Sequence, residues 1–376
     1  MIAVASFYVY KNYDQIKLYV MQTLFPDNNP TTVQGDLSIH FINFDSSNTG
    51  DSVYIKAGTT DILVDSGPDR ASSTDIYNYL CVDNKFITDN ILEFVIVTHA
   101  DQDHIAGLAG SKSSPSLFER FDCKTIIDFP KTNKDTDIYN DYITKRNAEI
   151  EQGAKRYSAL ECYNQTNGAK RIYDLSENVK LEILYNYYYE NTSSDENNYS
   201  VCFMLKHGER NFLFTGDLEK HGEEKFVQYN NLPQVELFKA GHHGSKTSSN
   251  DILLNVIKPK ICVACCVAGS NEYTNILENT FPTQEFIDRI AKYTNKVYIT
   301  GVATLVPLYE ADGVTPKLDR YGRQDYDIES YGGLNGNIVV SSLTNEVTVN
   351  CSVSNTLLKD TDWLKENRNV PSEWVA

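Results

Sequence analysis

Val97–Leu108 reads VTHADQDHIAGL, which places His99, Asp101, Asp103 and His104 within six residues. The run before it, ILEFVIVTH, is almost continuously apolar and of strand length, as expected for a strand covered on both faces. The polar cluster therefore begins where a core strand must end. Such strand ends are where sites are built, because the scaffold is rigid and the following loop supplies polar groups without breaking the core.

Two more strand-like runs end the same way. NFLFTGD closes on Asp217, and VELFKAGHHGSKTSS carries His242, His243, Ser245 and Lys246. Taken singly, each cluster has a plain reading: TGD as a turn, the histidine pair as surface, Asp103 as a helix N-cap. Taken together they point to a metal site, since five of the seven histidines lie in or close to these clusters and carboxylates accompany them at two of the three strand ends.

The remaining chain suits one large α/β domain. With 376 residues and 41% hydrophobic content it can bury a real core. A net charge of −17 has the wrong sign for loose attachment to a polyanion, so a phosphate-bearing substrate would need metal ions or a local basic pocket to attract it. The eight cysteines sit mostly in apolar runs such as ICVACC, which suggests buried free thiols in a reducing, cytoplasmic setting. Cys262 and Cys265 form a CxxC, but with strand periodicity and no second pair at zinc spacing. The N-terminal apolar run is too short to span a bilayer and reads as part of a helical segment over residues 1–35, with a truncated anchor as the other reading.

Short β runs, LSIHFINF, SVYIKA and DILVDSG, predict an antiparallel meander leading to a helix near Ser73–Cys81. A strand at Thr125–Phe129 and a charged helix from about Asp137 to Tyr157 follow. Strands are expected at VKLEILYNYYY, SVCFMLKH, NFLFTGD, ICVACCV and KVYITG, with helices at LEKHGEEKFVQY, NDILLNVIKP and TQEFIDRIAKY, and a closing hairpin GNIVVSS/EVTVNCS. The serines before NDILLNVIKP are candidate N-caps. The Tyr- and Asn-rich stretch Tyr185–Ser200 reads as a solvated connection or one wall of a pocket. Residues 36–353 form the expected domain, residues 354–376 a C-terminal tail, and 111–171 and 302–331 read as insertions.

The ordered set DILVDSG, THADQDHIAGL, NFLFTGD, FKAGHHGSKTSS and KPKICVACCV resembles the metallo-β-lactamase fold superfamily. Within it, the set is similar to the hydrolase domain of the DNA-uptake channel protein ComEC and its free-standing relatives, over about Leu37–Ser352. The resemblance implies an α/β (α+β) fold, a four-layer αββα sandwich with its site where the two sheets meet. It also implies two divalent ions, zinc or manganese: His99 and Asp101 on one, Asp103, His104 and His242 on the other, and Asp217 bridging. Asp65 in DSG would orient ligands rather than bind metal. Asp101 stands where the family usually has histidine, and the family's third-motif histidine has no counterpart, His207 lying out of place for it. The first ion site is therefore short of nitrogen ligands.

Such a pair of ions can activate water and clamp the attacked group. Asp103 is placed to accept the proton of that water, while His243, Ser245 and Lys246 offer donors to a phosphoryl oxygen; capping and solvation are the plain readings of Ser245 and Lys246. The expected activity is hydrolysis of a phosphoester or phosphodiester in a small phosphorylated or nucleic-acid substrate: a nucleotide, a nucleic acid or a phosphorylcholine-type ester. Hydrolysis of a carboxyl ester, lactone or amide is the other enzymatic reading, and a catalytically weakened binding or regulatory module the third.

Overall fold

A computed structural model describes residues 36–44 and 46–375; the expected N-terminal helical segment, residues 1–35, lies outside the described residues. The antiparallel meander is β1 (Leu37–Phe41), β2 (Val53–Ala57) and β3 (Thr60–Val64), joined in parallel by β4 (Ile91–Ile96), β5 (Asp122–Asp128) and β6 (Lys155–Ser158). A second series follows: β7 (Ile172–Asp174), β8 (Val179–Ile183), β9 (Phe203–His207), β10 (Arg210–Phe214), β11 (Leu237–Lys239), β12 (Ile261–Ala268), β13 (Val297–Pro307) and β14 (Tyr326–Gly333). The closing hairpin, β15 (Ile338–Ser342) and β16 (Val347–Cys351), returns to the first sheet beside β1. Among the described residues this makes two eight-stranded mixed sheets, ordered 16-15-1-2-3-4-5-6 and 14-13-12-11-10-9-8-7.

Side-chain alternation along the strands builds the layers. Leu37, Ile39 and Phe41 of β1 share a core with Phe212 and Phe214 of β10 and Val263 and Cys265 of β12, so these faces meet between the sheets. Phe214 stacks on its cross-strand neighbour Phe203 at 4.6 Å within the second sheet, and on Phe41 of the first sheet at 6.4 Å across that interface. The opposite faces look outward to helices. Ser38 and His40 of β1 turn away from the inter-sheet core, and Tyr79 meets the His40 ring at 2.9 Å. Leu213, Phe238, Cys262 and Ala264 face a second core. Cys262 and Cys265 thus point to opposite sides of β12, and all eight cysteines are free thiols.

The helices are α1 (Ser72–Tyr77), α2 (Gln102–Ala109), α3 (Leu117–Arg120) and α4 (Asp137–Glu151), which cover the first sheet, and α5 (Ala159–Asn164) after β6. Over the second sheet lie α6 (Lys220–Tyr229), α7 (Asp251–Ile257), α8 (Gln284–Ala291) and α9 (Asp362–Asn367), whose Phe226, Leu253, Phe286 and Trp363 fill the outer core. Helix, sheet, sheet, helix is the four-layer sandwich expected from the sequence.

Local differences have local causes. The charged helix stops at Glu151 rather than running to Tyr157, because Gly153 turns the chain at φ 117° and Lys155–Ser158 pairs with β5 instead. Residues 111–171 therefore contain two strands of the first sheet. The serines before α7 do not cap it: Asn250 holds the cap position, Ser248 donates to the Leu218 carbonyl, and Ser249 accepts from Gly241 N–H. They fasten the histidine loop rather than start the helix. Residues 302–331 extend β13 and β14 into a long hairpin, and the C-terminal stretch buries Leu358, Leu364 and Trp374.

Candidate metal centre

Strands β3, β4, β10 and β11 end at one edge of the sandwich, and each exit delivers polar side chains. Beyond β4, Thr98 and His99 are still buried and extended chain leads into α2, so Asp103 and His104 occupy its first turn. Asp101, not Asp103, holds the N-cap position, and it makes no capping bond. The other exits need left-handed backbone, at Asp65 (φ 56°), His242 (φ 46°) and His243 (φ 56°). Such conformations cost roughly 1–3 kcal/mol each in non-glycine residues and persist where surrounding structure holds them. Gly216, at φ 55°, fits for a second reason: a Cβ there would stand 2.7 Å from Ser200 Oγ.

Four donors converge. His104 Nε2 lies 3.2 Å and His243 Nε2 3.1 Å from Asp217 Oδ2. Asp103 Oδ2 is 3.1 Å from His243 Nε2 and 4.0 Å from His104 Nε2. Asp103, His104 and His243 form one group close enough to hold a cation and His99, His104 and Asp217 another, the two sharing His104.

The surroundings fix which nitrogen each ring presents. His104 Nδ1 donates to Asp65 Oδ2 at 2.8 Å, and His243 Nδ1 donates to the Cys265 carbonyl at 2.8 Å. Both rings therefore turn Nε2 inward, the arrangement that orients a metal-binding imidazole. Asp65 is itself held by Thr98, whose N–H and hydroxyl donate at 2.8 and 2.7 Å. Burial lowers the pKa of His104 and His243 but Asp217 and its neighbouring carboxylates more than reverse it, raising both well above the ordinary value. Burial likewise raises Asp217, and His243, His104 and Lys239 outweigh it, holding the carboxyl well below its usual range. A buried set in which anionic oxygens demand positive charge is the electrostatic signature of a cation site.

The other expected residues lie around this set. His99 is fully buried, and its Nε2, like Asp217 Oδ1, is without a hydrogen-bond partner among the described residues. Asp101 Oδ2 is 3.5 Å from His99 Nε2, while its other oxygen pairs with Lys134. His242 stands at the cavity wall, with Nδ1 3.3 Å from Glu219 and 3.2 Å from Thr247 Oγ1. Of the two adjacent histidines, His243 is the one inside the donor set. Lys246 reaches Asn279 at 2.8 Å, and Ser245 Oγ is 3.0 Å from Thr247 Oγ1. His207 bonds Ser342 at 2.8 Å, away from the centre.

Four participants had no role assigned from sequence. Asp51, in the GDS stretch, lies 3.3 Å from His243 Nδ1 and pairs with Lys239. Lys239 is buried between the sheets because it alternates with Phe238 on β11, and its Nζ is 3.6 Å from Asp217 Oδ1. That alternation was the available signal. Tyr273 donates its hydroxyl to Asp103 Oδ2 at 2.9 Å from a loop with no motif, and Glu196 anchors the loops beside it. Above the donors is a cavity of about 470 Å³ lined by Asp101, Asp103, Asn197, Asp217, His242, Glu272 and Tyr273. The Tyr- and Asn-rich stretch thus contributes one wall through Asn197. Among the described residues no helix is long and apolar enough to cross a membrane.

No family model matches the chain. It is similar to Recombination protein 2 of Haemophilus influenzae, 29% identical over 108 residues, covering 29% of this chain and 13% of that protein. It is also similar to the competence protein ComA of Neisseria gonorrhoeae, 31% identical over 30% of this chain and 16% of that one. ComE operon protein 3 of Bacillus subtilis is 26% identical over 239 residues, 60% of this chain and 27% of that one. The chain therefore spans less than a third of the length of these curated relatives. Among solved structures, the metallo-β-lactamase fold protein YhfI from Bacillus subtilis matches with a TM-score of 0.39 and 11% identity, over 71% of this chain and 96% of that one. With two mixed sheets, flanking helices and buried His/Asp groups at the sheet edge, the described residues have the four-layer arrangement expected from the sequence, and the chain is similar in sequence to the competence proteins over the stretches given.

Proposed function

We propose that the chain is a metal-dependent hydrolase that cleaves a phosphoester, most consistently a phosphodiester in a small phosphorylated or single-stranded nucleic-acid substrate. The observation that carries this reading is the convergence of His104 Nε2, His243 Nε2, Asp103 Oδ2 and Asp217 Oδ2 beneath an open cavity. Two imidazoles with two carboxylates suit zinc or manganese. A divalent ion held there supplies Lewis acidity toward the attacked group and makes water easier to deprotonate.

The chain's own residues do the rest. Asp65 and the Cys265 carbonyl keep the imidazoles turned inward, and Lys239 answers the buried charge of Asp51 and Asp217. Asp103 faces the cavity and can take the proton of an attacking water, with Tyr273 OH fixing the orientation of its carboxylate. The cavity is lined by Asp101, Asp103, Asp217 and Glu272, so a phosphate enters favourably only when a cation offsets them. That requirement, with the net charge of −17, disfavours broad docking onto duplex DNA. The names of the competence and recombination relatives fit a nucleic-acid substrate.

The test is turnover of bis(p-nitrophenyl) phosphate and p-nitrophenyl acetate by the purified chain before chelation, after it, and after return of zinc or manganese. Diester cleavage that follows the metal and is lost in Asp217→Ala supports the reading. Diester cleavage indifferent to Asp217→Ala, or acetate turned over far faster than the diester, contradicts it.

A further inference from the structure

The loop after β12 carries no motif, yet it puts an aromatic ring over the metal centre. Tyr273 lines the cavity above the donors and is 54% exposed. A single exposed tyrosine is ordinary on a protein surface. This one is fixed in place. Its hydroxyl donates to Asp103 Oδ2 at 2.9 Å, and its ring leans on Phe281 with the centroids 5.5 Å apart.

The backbone that carries the ring is fastened on both sides. Ser270 Oγ donates to the Ser47 carbonyl at 2.9 Å, and Glu272 accepts from Thr49 N–H at 2.7 Å. Asn271 donates to the Tyr326 carbonyl and Asn275 to Asp325 Oδ1, both at 3.0 Å, so the segment 302–331 braces the loop from outside. The ring has lost its conformational freedom before a ligand arrives, which lowers the cost of binding one against it.

What the ring can take follows from its neighbours. Asp101, Asp103 and Glu272 line the same cavity, so charge opposes a further phosphate beside Tyr273 but not an uncharged flat group. Among the described residues that line the cavity, Tyr273 is the one Phe, Tyr or Trp. Phe281 behind it is taken up by His242 at 5.7 Å and His243 at 5.9 Å. One open aromatic face suits a planar base, whereas a quaternary ammonium group is held by a cage of several.

We propose that the Tyr273 ring is the stacking face for an uncharged nucleobase carried by the substrate, which makes that substrate a nucleoside phosphodiester. This rests on the phosphoester-hydrolase reading above and adds the group attached to the attacked phosphate. Hydroxyl and ring then have separate tasks: the hydroxyl orients Asp103, and the ring receives the base.

The experiment compares three esters with the same leaving group, thymidine p-nitrophenyl phosphate, methyl p-nitrophenyl phosphate and p-nitrophenyl phosphorylcholine, in the metal-loaded chain and in its Tyr273→Phe and Tyr273→Leu variants. In the unaltered protein kcat/KM should be about tenfold higher for the thymidine ester than for the methyl ester. Tyr273→Phe should slow all three alike and keep that ratio, because only the hydroxyl on Asp103 is lost. Tyr273→Leu should bring the ratio close to one. Calorimetric titration with thymidine monophosphate and with methyl phosphate reads the same preference without turnover. A ratio near one in the unaltered protein, a ratio that survives Tyr273→Leu, or a phosphorylcholine ester favoured over the thymidine ester overturns the role of the ring and leaves the metallohydrolase reading standing. Cleavage of all three that is absent or indifferent to metal overturns that reading instead. The titration then decides the role of the ring by itself, a preference lost in Tyr273→Leu supporting it and equal binding overturning it.

Discussion

His104 and His243 come from opposite sheets, on α2 and on the loop after β11, yet their Nε2 atoms reach the same oxygen, Asp217 Oδ2, at 3.2 and 3.1 Å. A centre closed across the inter-sheet seam depends on the sandwich being assembled. Its parts can then be removed one at a time.

His243→Ala should abolish stable metal binding, whereas His242→Ala should leave it within a few-fold, because His242 is bound to Glu219 and Thr247 at the wall. Zinc affinity by competition with a chromophoric chelator separates the two. Equal losses would contradict the assignment.

Asp65→Ala frees Nδ1 of His104 and should weaken metal affinity about 10–100-fold, the usual effect of removing a group that orients a ligand. The same titration measures it, and the far-ultraviolet circular dichroism should be unchanged.

Gly216→Ala should destabilise the fold by at least about 1 kcal/mol, since it forces a Cβ into left-handed backbone and against Ser200. Because Asp217 follows directly, metal affinity should fall with it. Urea unfolding of the metal-free and metal-loaded forms reads both effects.

Glu223 on α6 accepts N–H bonds from Ser249 and Asn250 and so pins the loop that carries the histidines. Burial pushes its carboxyl up to about 7, against those bonds, which favour the charged form. A raised carboxyl favours folding when protonated. Its contribution is present at low pH and is lost as pH rises from the ordinary value, about 4.5, through about 7, by about 3 kcal/mol in all. Thermal melts from pH 5 to 8 should show this decline in the unaltered protein and a flatter profile in Glu223→Gln.

The sequence made the sandwich legible because strand alternation and three polar strand ends are local features. ILEFVIVTH, NFLFTGD and ICVACCV all contribute strands, and Asp65 accepts a hydrogen bond from His104 Nδ1. What escaped it depends on non-local geometry. Two adjacent left-handed residues decide which of His242 and His243 turns inward, and no pattern of residue types encodes that choice. Tyr273 and Lys134 arrive from loops whose course is set by anchors such as Glu196, far along the chain. Lys239 was hidden for the opposite reason: a lysine on a short strand reads as exposed until the buried carboxylates beside it are known.

The most direct measurement is an anomalous difference map from crystals grown with zinc, collected on either side of the zinc absorption edge. The account predicts a peak enclosed by His104 Nε2, His243 Nε2, Asp103 and Asp217. No peak there, or a peak held by His242 with His243 uninvolved, would contradict it.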